Sequence, residues 1–496
     1  MHILGETLTM GAGCFLILAL FLALSFEFVN GFHDTANAVA TVIYTHSLKP
    51  VVAVVWSGCW NLIGVLTSSG AVAYSIVALL PVELVLRVGT GQGFAMVFAL
   101  LISAIIWNIG TWYLGLPASS SHTLIGSILG VGLANSMFAS GHHFGDGVNW
   151  AKVREVFSFL LISPLIGFTF AALMLITMKK LVRRPDLYCA PDVEKGPPLW
   201  IRALLVLTCT GVSFAHGSND GQKGMGLIML ILIGVLPATY ALNMNVDTEA
   251  LHNLATTSHV ICIRLDKMST EAAMPVAKAA SVLSAFSQHP VAAEPDLYPA
   301  LAAENHAIEN MLARKDNLMQ FSKSERADLR STIYLVASTI GGLNKTNQLQ
   351  GAPYKDELLK YKKSLDKVTL YIPLWVKCAV ALALGFGTMI GWKRIVVTVG
   401  EKIGKDHLTY AQGATAELVT MVTIEVADHF GLPVSTTHVL TSGVAGTMAA
   451  NRSGVQLGTV RNLIIAWVLT LPVCVMLGAI TFAMGNYIVL NMLGIK

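Results

Sequence analysis

Gly115-Leu116-Pro117-Ala118-Ser119-Ser120-Ser121-His122 recurs as Gly431-Leu432-Pro433-Val434-Ser435-Thr436-Thr437-His438. A shorter motif, Gly31-Phe32-His33-Asp34, recurs as Gly217-Ser218-Asn219-Asp220. The short pair is separated by 186 residues and the long pair by 316, so the offset grows by 130. A polar stretch of 128 residues, 243–370, lies between the second and fourth motifs and accounts for that growth. Removing it restores one register to within two residues, the signature of two homologous halves with an insert in the second. The expected organisation is a first membrane repeat at 1–200, a second that begins at 201–242 and resumes at 371–496, and a soluble insert at 243–370.

The chain of 496 residues is 54% hydrophobic and only 12% charged, against roughly 25% charged in soluble domains. The insert holds 28 of the 62 charged residues, 14 of each sign, so the remainder is more apolar still. This is an all-α polytopic membrane protein, with about ten to twelve membrane helices expected from stretches approaching the roughly 20 apolar residues that span a bilayer. The candidates lie near 11–29, 51–80, 93–114, 120–137, 156–178, 201–216, 224–242, 372–392, 409–428, 436–450 and 461–490. The broad blocks 51–80 and 461–490 have room for two short helices each. The insert reads as helical at 297–335 and 352–368, with a loop at Gln288–Pro299.

Met1–Thr9 lacks the basic residues of a signal peptide. Lys179-Lys180, Arg183-Arg184 and the lysines of 360–367 place both their loops, and the insert, on the cytoplasmic side. The seven cysteines are scattered without a Cys-x-x-Cys, so neither a disulfide framework nor a zinc site is implied. A net charge of +4 says little about partners, and no nucleic acid is expected.

In each long motif Gly and Pro end one helix and open another. Three hydroxyl residues then occupy a first turn whose backbone N–H groups lack partners. Free amides, hydroxyls and the positive helix end make an anion site, with Ser119, Ser120, Ser121, Ser435, Thr436 and Thr437 as its donors. The bland alternative is helix capping or bonding back to the i−4 carbonyl; the matched second copy favours the anion site. Asp34 and Asp220 stand among glycines and small polar residues that predict unwound helix. A buried carboxylate there must bind a cation or take a proton. Asn37 and Asn219 can add neutral oxygen ligands, and Lys223 can offset charge. An anion beside two carboxylates in low dielectric is repelled, so it must come with a cation, with protons or as a neutral metal complex. Oxygen ligands suit Mg²⁺ or Ca²⁺. His33, His122, His216 and His438 can shuttle protons, and Glu27, Glu417 and Glu425 also stand in apolar stretches.

These residues resemble those of the inorganic phosphate transporter (Pit) family, particularly the bacterial low-affinity type. The resemblance rests on Asn30–Asn37, Gly115–His122, Phe214–Lys223 and Pro433–His438, and extends to Met389–Trp392 and Gly400–Gly404; the insert is outside it. It implies inverted-topology repeats, two re-entrant hairpins bearing the hydroxyl triplets, and a central phosphate. It further implies that Asp34, Asp220, Asn37 and Asn219 form the cation or proton side. Many family members read Asn-Asp followed by Ala-Asn in both halves. Here His33 precedes Asp34, and Lys223 stands where the first copy has Asn37, which speaks against sodium sites of the usual type.

The expectation is therefore a multi-pass inner-membrane symporter importing inorganic phosphate with protons, His33 and Lys223 lying on the coupling side. A divalent metal phosphate, its metal held by Asp34 and Asp220, is the preferred cargo. Sulfate, another tetrahedral oxyanion and sodium coupling stay open. No permanently bound cofactor is expected, and a homodimer is the candidate assembly. A Ser-His-Asp hydrolase is a weaker reading, since Ser120 and Thr436 lie in no Gly-x-Ser-x-Gly elbow.

Overall fold

The computed structural model describes residues 1–496 except 5, 35, 80–89, 139–143, 146–147, 192–195, 269–273, 289–294, 314, 351–353, 493 and 495–496, and except the side chains of 36, 37, 238 and 288. The first half comprises α1 (Met10–Asp34), α2 (Ala36–Tyr44), α3 (Pro50–Thr67), α4 (Ala71–Val77), α5 (Gly91–Tyr113), α6 (Ser120–Phe138) and α7 (Trp150–Leu181). The second opens with α8 (Leu199–Val235) and α9 (Pro237–Tyr240). The insert follows as α10 (Thr248–Met268), α11 (Val276–Gln288), α12 (Leu297–Leu312), α13 (Lys323–Lys345) and α14 (Lys355–Thr369). The chain then returns through α15 (Leu374–Met389), α16 (Lys393–Glu401), α17 (Tyr410–His429), α18 (Thr436–Asn451) and α19 (Leu457–Tyr487).

Among the described residues six helical stretches are long and apolar enough to cross a membrane, or seven if the bent pair α14–α15 counts as one. The sequence estimate of ten to twelve also counted α6, α17 and α18. These carry hydroxyls, carboxylates and glycines and are mostly buried inside the protein, so their surroundings are other helices and not lipid. One pair of predicted spans merges, 201–216 and 224–242 lying largely along α8, and the single block 461–490 is essentially the one helix α19. Outward-facing Leu165, Phe170 and Leu173 of α7 and Val468, Met476 and Met484 of α19 present an apolar belt of the kind lipid covers.

Packing is exchanged between the halves. Helix α1 lies against α15 and its motif counterpart α8 against α3; likewise α6 lies against α19, and α18 against α7. Glycines set these approaches. A Cβ on Gly217 would stand 2.7 Å from Asn61 Cα on α3, and one on Gly31 would stand 2.9 Å from the Thr388 amide on α15. The expected unwinding around Gly217–Lys223 is therefore not found: α8 runs through it as continuous helix. The glycines admit a neighbouring backbone instead of breaking the helix. At the first copy α1 stays helical to Asp34, and residue 35 lies outside the described set.

The insert has its own apolar core, including Leu254, Ile261, Leu301, Ile333 and Tyr361. Its two ends meet where the Asn243 amide donates to the Val368 carbonyl at 2.8 Å, and Lys345 pairs with Glu155 of α7 at 2.6 Å. The predicted run at 297–335 is two helices separated near residue 320, and Pro299 falls inside the start of α12 and not in a loop.

Gly217→Ala should lower stability by about 1–3 kcal/mol, the usual cost of overpacking. Thermal unfolding of the detergent-purified protein checks this; an unchanged midpoint would show that α3 and α8 separate without cost.

Candidate functional site

The two Gly-Leu-Pro loops share one backbone geometry. Gly115 (φ 67°) and Gly431 (φ 65°) take the left-handed conformation that favours glycine. The Leu116 amide donates to Thr111 O and the Gly115 amide to Trp112 O, each at 2.9 Å. The Leu432 amide to Ala427 O and the Gly431 amide to Asp428 O repeat the pattern, again at 2.9 Å. This is a Schellman closure of the preceding helix. Each new helix then opens on a serine cap: Ser119 Oγ accepts the His122 amide and Ser435 Oγ the His438 amide, both at 3.2 Å.

Two of the remaining hydroxyls, those of Ser121 and Thr437, reach between halves. Ser121 of α6 donates to the Val434 carbonyl in the other loop at 2.7 Å. Ser120 donates to Asp34 Oδ2 at 2.7 Å, and Thr437 of α18 donates to Asp34 Oδ1. Asp34 thus takes one hydroxyl from each loop-helix unit. Thr436 lies buried beside Thr437. Asn219 straddles the second loop, with Nδ2 donating to Leu432 O at 3.2 Å and Oδ1 accepting the Val434 amide at 3.4 Å. The Asn37 side chain is outside the described residues.

Charged groups complete the cluster, all essentially inaccessible to solvent. His216 Nε2 lies 3.9 Å from Asp34 Oδ2 and 3.6 Å from Asp220 Oδ2, while its Nδ1 meets Asn61 Oδ1 at 2.9 Å. Lys223 Nζ is 2.7 Å from Asp220 Oδ2. His33 Nδ1 is 3.7 Å from Asp34, and its Nε2 meets Thr111 Oγ1 at 3.1 Å. Asp34, His216 and Asp220 each offer a ligand atom, all within 4.8 Å of one another, a spacing a divalent cation can bridge. Asp220 is thus matched by a fixed lysine, whereas Asp34 is matched by hydroxyls and imidazoles.

The His122 and His438 rings stand 4.7 Å apart between centroids. His438 also stacks on Trp467 at 4.1 Å, whose indole N–H donates to Pro117 O at 3.0 Å. These histidines tie the loops together. A further buried carboxylate, Glu417, accepts hydroxyls from Thr41 and Thr208. Glu27 fills the space left by the missing side chain of Gly224. Sequence reasoning passed over Asn61, whose only signal is a lone amide in an apolar run.

Helices with apolar outer faces around a buried, polar, charge-bearing centre define a multi-pass membrane protein of the transporter class. The profile of the phosphate transporter family (PHO4) matches residues 30–478, and the chain belongs to that family. It is 41% identical over 492 residues to the low-affinity inorganic phosphate transporter PitA of Escherichia coli K12, covering 95% of this chain and 96% of the relative. The probable low-affinity inorganic phosphate transporter of Bacillus subtilis is 28% identical over 478 residues, covering 96% and 97%. The solved structure titled "The sodium-dependent phosphate transporter" shares the fold, with a TM-score of 0.53 at 20% identity over 95% of this chain and 98% of that one. Its long apolar helices fit a multi-pass membrane protein, in keeping with its family.

Lys223→Met should destabilise the protein by about 3–5 kcal/mol, because it leaves Asp220 buried and unpaired. Adding Asp220→Asn should restore most of the loss. Melting of the three variants measures both; a double variant no better than the single would refute the pairing.

Proposed function

We propose that this protein imports inorganic phosphate by proton-coupled symport, with the phosphate carried as a neutral divalent-metal complex. The observation that carries the reading is the Asp34 carboxylate, which accepts Ser120 and Thr437 from opposite halves. Those hydroxyls are donors that a phosphate oxygen can take over. A protonated phosphate can in turn donate to a carboxylate, which sulfate cannot. The triplet residues Ser119, Ser120, Ser121, Ser435, Thr436 and Thr437 form the phosphate side. Asp34, Asp220, Asn219 and His33, with Asn37 and Lys223, form the cation side.

Charge balance supports the coupling. Lys223 offsets Asp220, but a dianionic phosphate next to Asp34 is strongly opposed in low dielectric. A proton on the Asp34–His216 pair, or a cation across Asp34, His216 and Asp220, removes the opposition. The cation is then cargo, and Mg²⁺ or Ca²⁺ fit the carboxylates. The counterpart helices exchange partners between halves, a framework in which inverted repeats can rock about a central site.

Reconstitution in liposomes tests this. Radiolabelled phosphate should accumulate under an inwardly directed proton gradient with Mg²⁺ and without Na⁺, and equal sulfate should not compete. Asp34→Asn with Asp220→Asn should abolish accumulation. Uptake indifferent to every cation gradient would sink the symport reading, and sulfate competition would sink selectivity.

A further inference from the structure

The insert holds a second cluster of metal-ligating side chains, unrelated to the transport centre. His259, Cys262 and Asp266 share one face of α10, at spacings of three and four residues. His306 and Glu309 share the facing side of α12, which packs directly on α10. Cys262, His306 and Glu309 each present a ligand atom, all within 4.8 Å of one another.

The surrounding hydrogen bonds are those a metal site needs. His306 Nε2 stands 3.1 Å from both oxygens of Asp266, while its Nδ1 stands 3.2 Å from Glu309 Oε2. Both ring nitrogens therefore face carboxylates. A neutral imidazole has one N–H and one lone pair, so one of these contacts is repulsive unless a second proton or a metal ion intervenes. With Nδ1 on a metal, Nε2–H donates to Asp266, the carboxylate–histidine arrangement that orients metal-bound imidazoles. Asn305 Nδ2 donates to Cys262 Sγ at 3.0 Å, and Tyr361 holds Asn305 through its Oδ1 at 2.6 Å. An N–H aimed at sulfur stabilises a thiolate. His259 Nδ1 lies 2.5 Å from Glu309 Oε1, at the edge of the cluster.

We propose that the insert binds one borderline divalent cation of the Zn²⁺ class through Cys262, His306 and Glu309, supported by Asp266. Sulfur and imidazole donors favour such an ion over Mg²⁺ or Ca²⁺. Cys262 is buried whereas His259 is exposed and His306 half-exposed, so an ion enters from solvent and ends on the thiolate. Because the thiolate is the ligand, binding releases the thiol proton to solvent. The ion would clamp α10 to α12. The inference does not depend on the transport reading.

Full-length protein, purified in detergent and stripped with EDTA, is titrated with Co²⁺ while the thiolate-to-metal charge-transfer absorption is followed, and then with Zn²⁺. One equivalent of Co²⁺ should produce the band and Zn²⁺ should bleach it. Cys262→Ser should remove it, and Asp34→Asn with Asp220→Asn should keep it, which separates this site from the transport centre. Asp266→Asn should weaken Zn²⁺ about 10–100-fold. Should Cys262→Ser fail to fold by circular dichroism, His306→Gln at its half-exposed position must weaken Zn²⁺ by about tenfold or more. No thiolate band, a band that survives Cys262→Ser, or Zn²⁺ affinity unchanged in His306→Gln would each overturn the site.

Discussion

A carboxylate removed from water must find its partners inside the protein, and at Asp34 they come from both halves. A buried charge without such partners costs several kcal/mol. Asp34 at the end of α1 meets this requirement with Ser120 of α6 and Thr437 of α18. For both hydroxyls to reach one residue, the two loop-helix units must converge, and the exchanged packing of α6 on α19 and α18 on α7 brings them together. The Schellman closures at Gly115 and Gly431 then turn each chain sharply enough to start a helix at the centre.

The two aspartates occupy matched positions in sequence but not matched environments. Asp220 faces a lysine one turn along its own helix, a fixed counter-charge. Asp34 faces hydroxyls and two imidazoles, partners that can release it to a proton, a cation or a protonated phosphate. The matched motifs supply hydroxyls from both halves, and the halves differ at His33 and Lys223, where the proposed reading places the charge the cargo must balance. The family assignment stands on the whole chain; the proposed coupling rests on this local asymmetry.

Much of the framework was legible because the motif pairs carry their own ruler: offsets of 186 and 316 residues reveal two halves and the size of what separates them. The hydroxyl triplets and aspartates were legible for the same reason, since polar residues in apolar sequence must do something. The glycines were misread around Gly217, because a glycine that breaks a helix and one that admits a neighbouring backbone look alike until the neighbour, Asn61, is known. Asn61 itself, and Thr41 and Thr208 on Glu417, serve groups more than 150 residues away. The Cys262–His306–Glu309 cluster was invisible to a search for spaced cysteines, because its donors lie on two helices and include a single sulfur.

The central claim is that phosphate cannot reach this site with its negative charge uncompensated, and that Asp34 enforces this. The sign of charge movement tests it most directly. Proteoliposomes on a solid-supported membrane receive a phosphate jump at symmetrical pH, in Mg²⁺ without Na⁺. Neutral metal phosphate entering with protons gives an inward positive current, and Asp34→Asn should abolish it. An inward negative current, or a positive one that survives Asp34→Asn, would contradict the account.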